Sequence, residues 1–478
     1  MSSYIVFFSK GGMVRRRTDD ISLYSPRQSS SMNNKEFLAA IAIAVLFLVR
    51  MLGLFTILPV LPLVAEELVS STPLLIGVAI GIYGLSQAVL QVPLGLASDR
   101  FSRKSVITFG LVIFILGSLV AAMAEDIFGI ILGRFLQGCG AIASTLLALV
   151  SDVTRVEQRS KAMAIIGAGI GTSFGVSIVL GPVIAAYAGL SGVFMFSAMV
   201  GVLGLIILWT VVPTPISLKT NLDTKVVMEK FSSVLFNTSL IPVNLGVFFL
   251  HYFLTAGFLV FPLLFREVGI SDADHSMYYL GILFASVVLM APFVWVSDRK
   301  GRSRSVMQWM VMVLLLAMLG LASVKGSVAL VLFMVAFFIG FNLLEVLLPA
   351  HMSRVVAAGT RGTGMGVYST FQFLGTFAGG VVGGVLLSYG DISTVLYVNS
   401  GVCVFWFLLS FKVENLNEVE SRTIDLRSDV GLPANQVVEG LLSVNGVLDV
   451  VLIEEERVAY LKVDSDRFNE TDIQQFTQ

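Results

Sequence analysis

The chain has 478 residues, of which 56% are hydrophobic and 13% are charged, with a net charge of −1; its mean hydropathy is +0.88. Soluble domains carry about a quarter charged residues, so this composition excludes an ordinary soluble protein and indicates a polytopic membrane protein. Two cysteines in separate apolar segments exclude a disulfide framework and a cysteine-based zinc site.

The first 36 residues are polar and rich in arginine, and we predict that 1–36 form a disordered cytoplasmic tail without a cleavable signal peptide. Because a membrane span needs about 20 apolar residues, the remaining sequence predicts twelve transmembrane helices. These are 37–63, 74–97, 105–124, 128–150, 163–186, 191–212, 240–264, 277–296, 305–324, 327–349, 365–388 and 393–412.

The spans divide into two six-helix bundles, 37–212 and 240–412, joined by a polar linker, 213–239, which is either a plain connector or contains a short amphipathic helix. Even-numbered connections carry two to four Lys or Arg residues, and odd-numbered connections carry at most one. Because positively charged connections remain inside, we expect the even connections and both termini in the cytoplasm. The expected location is the bacterial cytoplasmic (inner) membrane.

A charged turn occurs twice, as SDRFSRK from Ser98 to Lys104 after span two and as SDRKGR from Ser297 to Arg302 after span eight. Such repetition indicates two copies of one membrane unit, which is how secondary transporters are commonly built. An Asp at a helix end beside Arg residues can lock two helices in one state and release them in another; alternatively, these residues only determine topology. The expected gating charge cluster is Gly95, Asp99, Arg100, Arg103, Lys104, Asp152, Asp298, Arg299 and Arg302.

Titratable groups inside the spans are few. Glu345 is the only carboxylate well inside a predicted span, and His251 lies in span seven. A low-dielectric environment favours the neutral, protonated form of a carboxyl group, which can then bind and release a proton. We therefore predict proton coupling by Glu345 first and His251 second, or by Asp99 of the charged turn. The alternatives are a static salt bridge for Glu345 and a hydrogen-bonded histidine within the bundle.

Polar and small residues recur at helical spacing. Tyr83, Gln87 and Gln91 share one face of span two, and Tyr368 and Gln372 share one face of span eleven. Such faces either line a pathway or form hydrogen bonds between helices. Glycine at every fourth residue permits backbone-to-backbone contact, which predicts helix packing at Gly171, Gly175, Gly181, Pro182, Gly379 and Gly383.

The last 66 residues, 413–478, lose the hydrophobicity of the spans. Their pattern predicts strand, helix, strand, strand and helix, which is most of a ferredoxin-like α+β domain. The layout resembles heavy-metal-associated domains, but 428–433 offers no Cys, His or Met where those domains bind metal. We therefore expect no metal site. The strand edges offer a surface for self-association.

The segment from Gly95 to Lys104 resembles the signature Gly-x-x-x-Asp-Arg-x-Gly-Arg-Lys of the major facilitator superfamily, with Ser102 replacing a glycine. The segment from Arg134 to Ala141 resembles the span-four motif Arg-x-x-Gln-Gly-x-Gly-Ala of that family. Gly181-Pro182 is similar to the span-five motif of antiporters, although two alanines replace its last two glycines. With the appended domain, these motifs are similar to the drug–proton antiporter branch of the family.

The resemblance implies an all-α membrane protein of twelve helices in two bundles, plus the α+β domain. It also implies that spans one and four line a central cavity, where Arg50 and Arg134 would attract an anionic group; snorkelling of Arg134 is the alternative. The expected cavity residues are Arg50, Arg134, Tyr83, Gln87, Gln91, Asn342, Tyr368 and Gln372.

The implied function is proton-driven efflux of drugs or other small organic compounds by alternating access. Uptake by proton symport and a non-transporting sensor that acts through its C-terminal domain remain alternatives. The sequence has no Walker loop, nucleophile elbow or metal-ligand spacing, which argues against an enzyme. The expected partners are a small-molecule substrate, protons and the lipid bilayer, without a cofactor and without nucleic acid.

Overall fold

The computed structural model describes residues 4–9, 12–17, 32–64, 68–154, 158–214, 228–298, 302–356, 361–413, 419–425, 434–453, 458–464 and 467–473. Eleven helices of this part are long and apolar enough to cross a membrane. One of them contains Gly189 at φ 61° and ψ −167°, which interrupts the helix. Because glycine adopts a positive φ at little cost, this residue divides the helix into two crossing segments. Counted separately, they give the twelve helices that the sequence predicts.

The helices before the linker are α1 (Asn34–Phe55), α2 (Leu61–Val64), α3 (Pro73–Arg100), α4 (Arg103–Ala122), α5 (Ile127–Cys139), α6 (Ala143–Val153) and the interrupted helix α7 (Arg159–Thr210). After it follow α8 (Met228–Leu235), α9 (Ile241–Glu267), α10 (His275–Asp298), α11 (Ser303–Ala322), α12 (Ser327–Val355), α13 (Arg361–Tyr389) and α14 (Ile392–Ser410). Span four is therefore divided into α5 and α6. The helix α8 corresponds to the helical alternative for the linker, whose residues 215–227 lie outside the described ranges.

Charged residues distinguish the two membrane faces. We call the face that carries the α3–α4 and α10–α11 connections, with Arg100 and Arg302, the basic face. The opposite face carries Asp126, Asp272 and Asp391, and we call it the acidic face. The N-terminal half comprises α1 to α7, and the C-terminal half comprises α9 to α14.

The two halves are in close contact towards the acidic face. There α3 crosses α13, and a Cβ on Gly77 or on Gly380 would overlap the carbonyl oxygen of the other glycine. The guanidinium of Arg266 also donates to the carbonyl of Leu63 in α2, at 3.4 Å. Gly95 lies nearer the basic face. Among the described residues, a Cβ on Gly95 would contact only Ser144, which belongs to the same half. The halves thus meet at the acidic face and separate towards the basic face.

A five-stranded antiparallel sheet lies outside the membrane helices. Its strands are β1 (Tyr4–Ser9), β2 (Gly12–Arg17), β3 (Val419–Asp425), β4 (Val447–Ile453) and β5 (Val458–Asp464), in the order β2-β1-β4-β5-β3. Helix α15 (Ala434–Ser443) buries Val438 and Leu441 against this sheet. The predicted final helix is a short 3₁₀ turn, Glu470–Ile473, and 474–478 lie outside the described residues.

The N-terminal tail differs from the sequence prediction in two segments. Residues 1–36 were expected to be disordered, yet β1 pairs with β2 and, at Val6 to Phe8, with β4. The reason is composition, because the run from Tyr4 to Phe8 consists of aromatic and β-branched residues that favour extended backbone. The arginines of β2 obscured this signal. Residues 18–31 lie outside the described ranges.

Candidate functional site

A cavity of about 1210 Å³ lies between the two halves. Its walls run along α7 from Ala164 to Leu180 and along α12 from Phe341 to Pro349, so it extends from the membrane interior towards the basic face. The N-terminal half contributes mainly glycine and apolar residues. The polar side chains of the lining are Thr172, His251, Asn342, Glu345, Tyr368, Ser369, Gln372 and Thr376.

Three polar side chains of the C-terminal half meet in this cavity. Gln372 Nε2 lies 2.8 Å from His251 Nε2 and donates to Glu345 Oε1 at 3.3 Å. His251 Nδ1 lies 3.3 Å from the carbonyl of Val247, so a proton on Nδ1 leaves Nε2 free to accept from Gln372. His251 Nε2 is 3.7 Å from Glu345 Oε2. The structure thus brings both predicted proton-coupling residues of the spans into one cluster.

The members of the cluster differ in their exposure to the cavity. The side chain of Glu345 is 36% exposed, whereas that of His251 is 6% exposed. Tyr368 and Asn342 also line the cavity as the sequence predicts; Asn342 donates to Ser286 at 3.0 Å. The Tyr368 hydroxyl is buried, with no hydrogen-bond partner among the described residues. Glu345 therefore lies beside the space that a bound compound would fill.

The predicted cavity role of the two arginines is wrong. Arg50 and Arg134 are 1% and 0% exposed and lie inside the N-terminal half, away from the cavity lining. Arg50 donates to Gln87 Oε1 at 2.8 Å and to the carbonyl of Gln137 at 3.3 Å. Arg134 donates to the carbonyl of Gly53 at 3.0 Å and to Gln137 Oε1 at 2.9 Å. The sequence placed these arginines in spans one and four but did not predict the direction of their side chains around the helix.

Aromatic faces complete the environment of these cations. The guanidinium carbons of Arg50 and Arg134 lie 5.4 Å and 4.8 Å from the centre of the Tyr83 ring, and Arg50 also lies 5.7 Å from that of Phe114. Such cation–π contacts partly replace lost hydration. Tyr83, Gln87 and Gln91 are consequently buried within the bundle, 0%, 1% and 3% exposed, and do not line the cavity. Of this stripe, Gln87 forms the interhelical hydrogen bond of the alternative prediction, whereas the Tyr83 hydroxyl and Gln91 Oε1 have no hydrogen-bond partner among the described residues.

The predicted packing glycines fall into two groups. A Cβ on Gly181 would overlap the carbonyl of Thr56, next to buried Pro182, and one on Gly379 would overlap that of Tyr252. A Cβ on Gly383 would lie 3.4 Å from Ala256. By contrast, nothing described lies within 4 Å of a Cβ on Gly171 or Gly175, which line the cavity. The packing prediction is wrong for those two, because the halves are apart at this level of α7.

The charged turn is described only in part. Arg103 Nε donates to Asp152 Oδ2 at 3.0 Å, and its Nη1 donates to Ser98 Oγ at 2.6 Å. The side chains of Arg103 and Asp152 are 4% and 1% exposed. Gly95 lies beside Ser144, while Arg100 and Arg302 are exposed. The side chains of Asp99 and Asp298 and the whole of Arg299 lie outside the described part.

Lys104 does not join this cluster in the described contacts. Its ammonium lies 5.3 Å from the centre of the Trp209 ring. One residue along a helix rotates a side chain by about 100°, so neighbours such as Arg103 and Lys104 point in different directions. The sequence motif therefore groups residues that the helix separates.

Replacing Arg103 with leucine is expected to destabilise the protein strongly. The change leaves the Asp152 carboxylate buried without its guanidinium partner, which typically costs about 3–5 kcal/mol. Thermal unfolding of the purified full-length chain in detergent measures this loss. Arg100→Leu removes an exposed cation from the same turn and should change stability by about 0.5 kcal/mol or less. Equal unfolding temperatures for the two variants would contradict the role of Arg103 as the buried partner of Asp152.

Aromatic residues of both halves meet at the cavity, which the sequence reasoning missed. Phe55 and Phe174 of the N-terminal half and Phe341 of the C-terminal half line it. The Phe174 ring centre lies 5.0 Å from Phe55 and 5.8 Å from Phe341. The position of Phe174 between Gly171 and Gly175 could have indicated this contact, because small neighbours leave space beside a large ring.

Known proteins match this chain over most of its length. Residues 43–263 and 243–448 match the sequence profile "Major Facilitator Superfamily", and 431–478 match the "YajR YAM domain". The chain is 38% identical over 431 residues to "Inner membrane transport protein YajR" of Escherichia coli (strain K12), which covers 90% of this chain and 94% of the relative. It is 26% identical over 394 residues to "Multidrug resistance protein 2" of Bacillus subtilis (strain 168), and this match covers 79% of this chain and 96% of the relative.

Solved structures share the fold. A bacterial homolog to the human lysosomal transporter Spinster, in an inward-facing and occupied conformation, matches with a TM-score of 0.65 at 13% sequence identity, covering 81% of this chain and 99% of the other. At this identity the match concerns the fold alone.

Proposed function

We propose, because the chain belongs to the major facilitator superfamily of membrane transporters, that it is a proton-coupled secondary transporter that exports small organic compounds by alternating access. Transport itself follows from the family. Proton coupling, antiport and the residues assigned to them are our proposal.

The cluster of Glu345, His251 and Gln372 is the observation that carries this proposal. Glu345 is the only carboxylate among the described lining residues, and its own half supplies the histidine and amide beside it. A positively charged substrate beside this carboxyl group stabilises its ionised form, so substrate binding and proton binding oppose each other. Reciprocally, protonation changes the affinity for the substrate, and this linkage is the requirement for coupled transport.

The orientation of the chain determines which state the cavity represents. The positive-inside rule supports a cytoplasmic basic face, with both termini inside. The cavity then opens to the cytoplasm, and the glycine crossing of α3 with α13 closes the outside. The name of the relative from Escherichia coli supports the inner membrane as the location. An inward-open cavity is the state in which an exporter loads its substrate.

The cavity favours apolar compounds, with a positive charge or none. Its lining is mostly aliphatic, aromatic and glycine residues around Glu345, and the two arginines of the sequence prediction lie elsewhere. The predicted preference for anionic compounds therefore loses its basis. Relatives named for multidrug resistance support a drug-like substrate.

The domain organisation completes the proposal. We assign 37–212 and 240–412 to two moving bundles, 213–239 to the linker and 413–478 to a regulatory domain. The order of β4-β5-β3 with α15 between β3 and β4 supports a ferredoxin-like fold for that domain. Self-association would use β2 or β3, since β1 pairs with the edge of β4. The charge cluster of Arg103 and Asp152 acts as the gate at the basic face.

Everted membrane vesicles test the direction of transport. Acidifying the vesicle interior should drive an exporter to accumulate a lipophilic dye, and collapsing the pH gradient should release the dye. Accumulation that requires the opposite gradient would favour proton symport, the second transport hypothesis. A sensor would show neither response, and deleting 413–478 would abolish its phenotype while Glu345→Gln would preserve it.

A further inference from the structure

The Phe174 ring of the N-terminal half inserts among three phenylalanine rings of the C-terminal half. Its centre lies 6.3 Å from Phe258, 6.2 Å from Phe338 and 5.8 Å from Phe341. These three rings also contact one another, with Phe258–Phe338 at 6.1 Å and Phe338–Phe341 at 6.5 Å. We call Phe258, Phe338 and Phe341 the aromatic cage. All of these distances are typical of favourable ring pairs.

Phe174 and Phe341 separate Phe258 and Phe338 from the cavity. Phe258 and Phe338 are 0% exposed and Phe341 is 4% exposed. Phe174 itself lines the cavity, as does Phe341, whereas Phe258 and Phe338 lie behind them. Removing the Phe174 ring would therefore extend the cavity into a pocket with an aromatic wall.

The ring can leave the cage when the halves move. Phe174 and its cage belong to different halves, and nothing described lies within 4 Å of a Cβ on Gly171 or Gly175, which precede and follow it on α7. A rearrangement that separates α7 from α9 and α12 would withdraw this ring. The cage then faces the transport pathway without its occupant.

We propose that the aromatic cage is a substrate subsite for an aromatic ring, and that Phe174 occupies it as an intramolecular substitute while the acidic face is closed. This inference rests on the proposed alternation between two open states. The occupant follows from the geometry, because the group that fills the cage in this state is itself a phenyl ring. The His251 ring lies 5.9 Å from Phe341, so a cation attached to the bound ring would lie near the Glu345 cluster.

Competition between Phe174 and the substrate gives the proposal a distinctive consequence. If Phe174 only lined the cavity, its removal would delete a contact and weaken binding. If it occupies the subsite, its removal frees the cage, and the apparent affinity rises because the binding-competent fraction rises. The two roles predict changes of opposite sign.

Equilibrium binding to the purified full-length chain tests this, with tetraphenylphosphonium as the aromatic probe and tetrabutylphosphonium as the aliphatic one. Phe174→Ala should raise the affinity for tetraphenylphosphonium about tenfold, and adding Phe338→Leu should abolish that gain. Adding Phe337→Leu instead is the matched control, since Phe337 is the adjacent buried ring of α12, in contact with Phe261 and Phe338. The affinity for tetrabutylphosphonium should change less than twofold throughout.

Binding needs no proton gradient, so this test is independent of whether the chain exports. An unchanged or lower affinity of the Phe174→Ala variant for tetraphenylphosphonium would overturn the subsite. A gain in affinity that Phe337→Leu abolishes as effectively as Phe338→Leu would also overturn it. The same holds for an equal gain in affinity for tetrabutylphosphonium, and for the absence of measurable binding to the Phe174→Ala chain.

Discussion

Glu345→Gln is expected to reduce pH-gradient-driven transport to the level of protein-free liposomes. Glutamine has nearly the shape of a protonated glutamate but cannot release a proton, so the cavity retains its form and loses its exchangeable group. Substrate exchange without a gradient should continue when the compound saturates the variant, because exchange needs no proton transfer. Reconstituted liposomes measure both activities on one preparation.

A neighbouring polar residue supplies the control for this prediction. Thr376 lines the same cavity and its hydroxyl donates to the Gln372 carbonyl at 3.3 Å. Thr376→Val removes a polar group of similar position without removing a titratable one, so gradient-driven transport should persist. Full coupling in the Glu345→Gln variant would exclude this residue as the proton carrier and would leave His251 as the remaining candidate within the cavity.

Gly380→Val is expected to shift the protein strongly out of the state described here. A Cβ added to Gly380 would overlap the carbonyl oxygen of Gly77 in α3. It would also lie 3.1 Å from the amide nitrogen of Gly81 in the same helix. A branched side chain cannot fit between two backbones, and such overpacking typically costs about 1–3 kcal/mol. Because the strain exists only while the halves meet at the acidic face, the equilibrium should move about 5- to 150-fold towards the opposite state.

Cysteine labelling measures this shift from the acidic face. Leu61 in α2 is fully buried at the acidic end of the N-terminal half, where α2 contacts α9. A Leu61→Cys reporter, with Cys139 and Cys403 replaced by alanine, should react faster with an impermeant maleimide when Gly380→Val is present. Gly401→Val is the matched control, because nothing described lies within 4 Å of a Cβ on Gly401. Equal labelling rates in both variants would contradict the role of the α3–α13 crossing.

Much of the architecture could be predicted because it depends on local composition. Twenty-residue apolar runs, the repeated charged turn and the span-four motif from Arg134 to Ala141 are properties of short segments. The place of Glu345 at the cavity could also be predicted. A lone carboxylate in an apolar span is costly, so it rarely faces lipid and usually faces the interior of the bundle or a cavity. The cluster with His251 and Gln372 joins residues of α9, α12 and α13. Its three members were all singled out from the sequence, but their meeting was not.

The arginines show what a linear sequence does not contain. Arg50 and Arg134 could be assigned to spans one and four, but around a largely apolar helix the sequence does not define the direction in which each side chain points. Their acceptors are backbone carbonyls, including that of Gln137 next to the break between α5 and α6, and the side-chain amides of Gln87 and Gln137. Backbone carbonyls have no side-chain signature, so the sequence did not identify them as partners.

The glycines show the effect of conformational state. Gly171 and Gly379 stand in the same every-fourth-residue pattern, yet one faces the open cavity and the other touches the backbone of Tyr252. In a protein whose halves alternate, one helix face can be packed in one state and exposed in another. Residue type predicts that close approach is possible, whereas the state decides whether it occurs. The role of Phe174 between two such glycines depends on the same distinction.

Proton release on substrate binding tests the central claim most directly. In weakly buffered detergent solution, purified protein should release about one proton for each molecule of transported compound bound, since substrate and proton compete at Glu345. The Glu345→Gln variant, which resembles the protonated state, should bind the compound more weakly and release no proton when saturated with it. Equal release from both proteins, or binding to the native protein without release, would contradict the account.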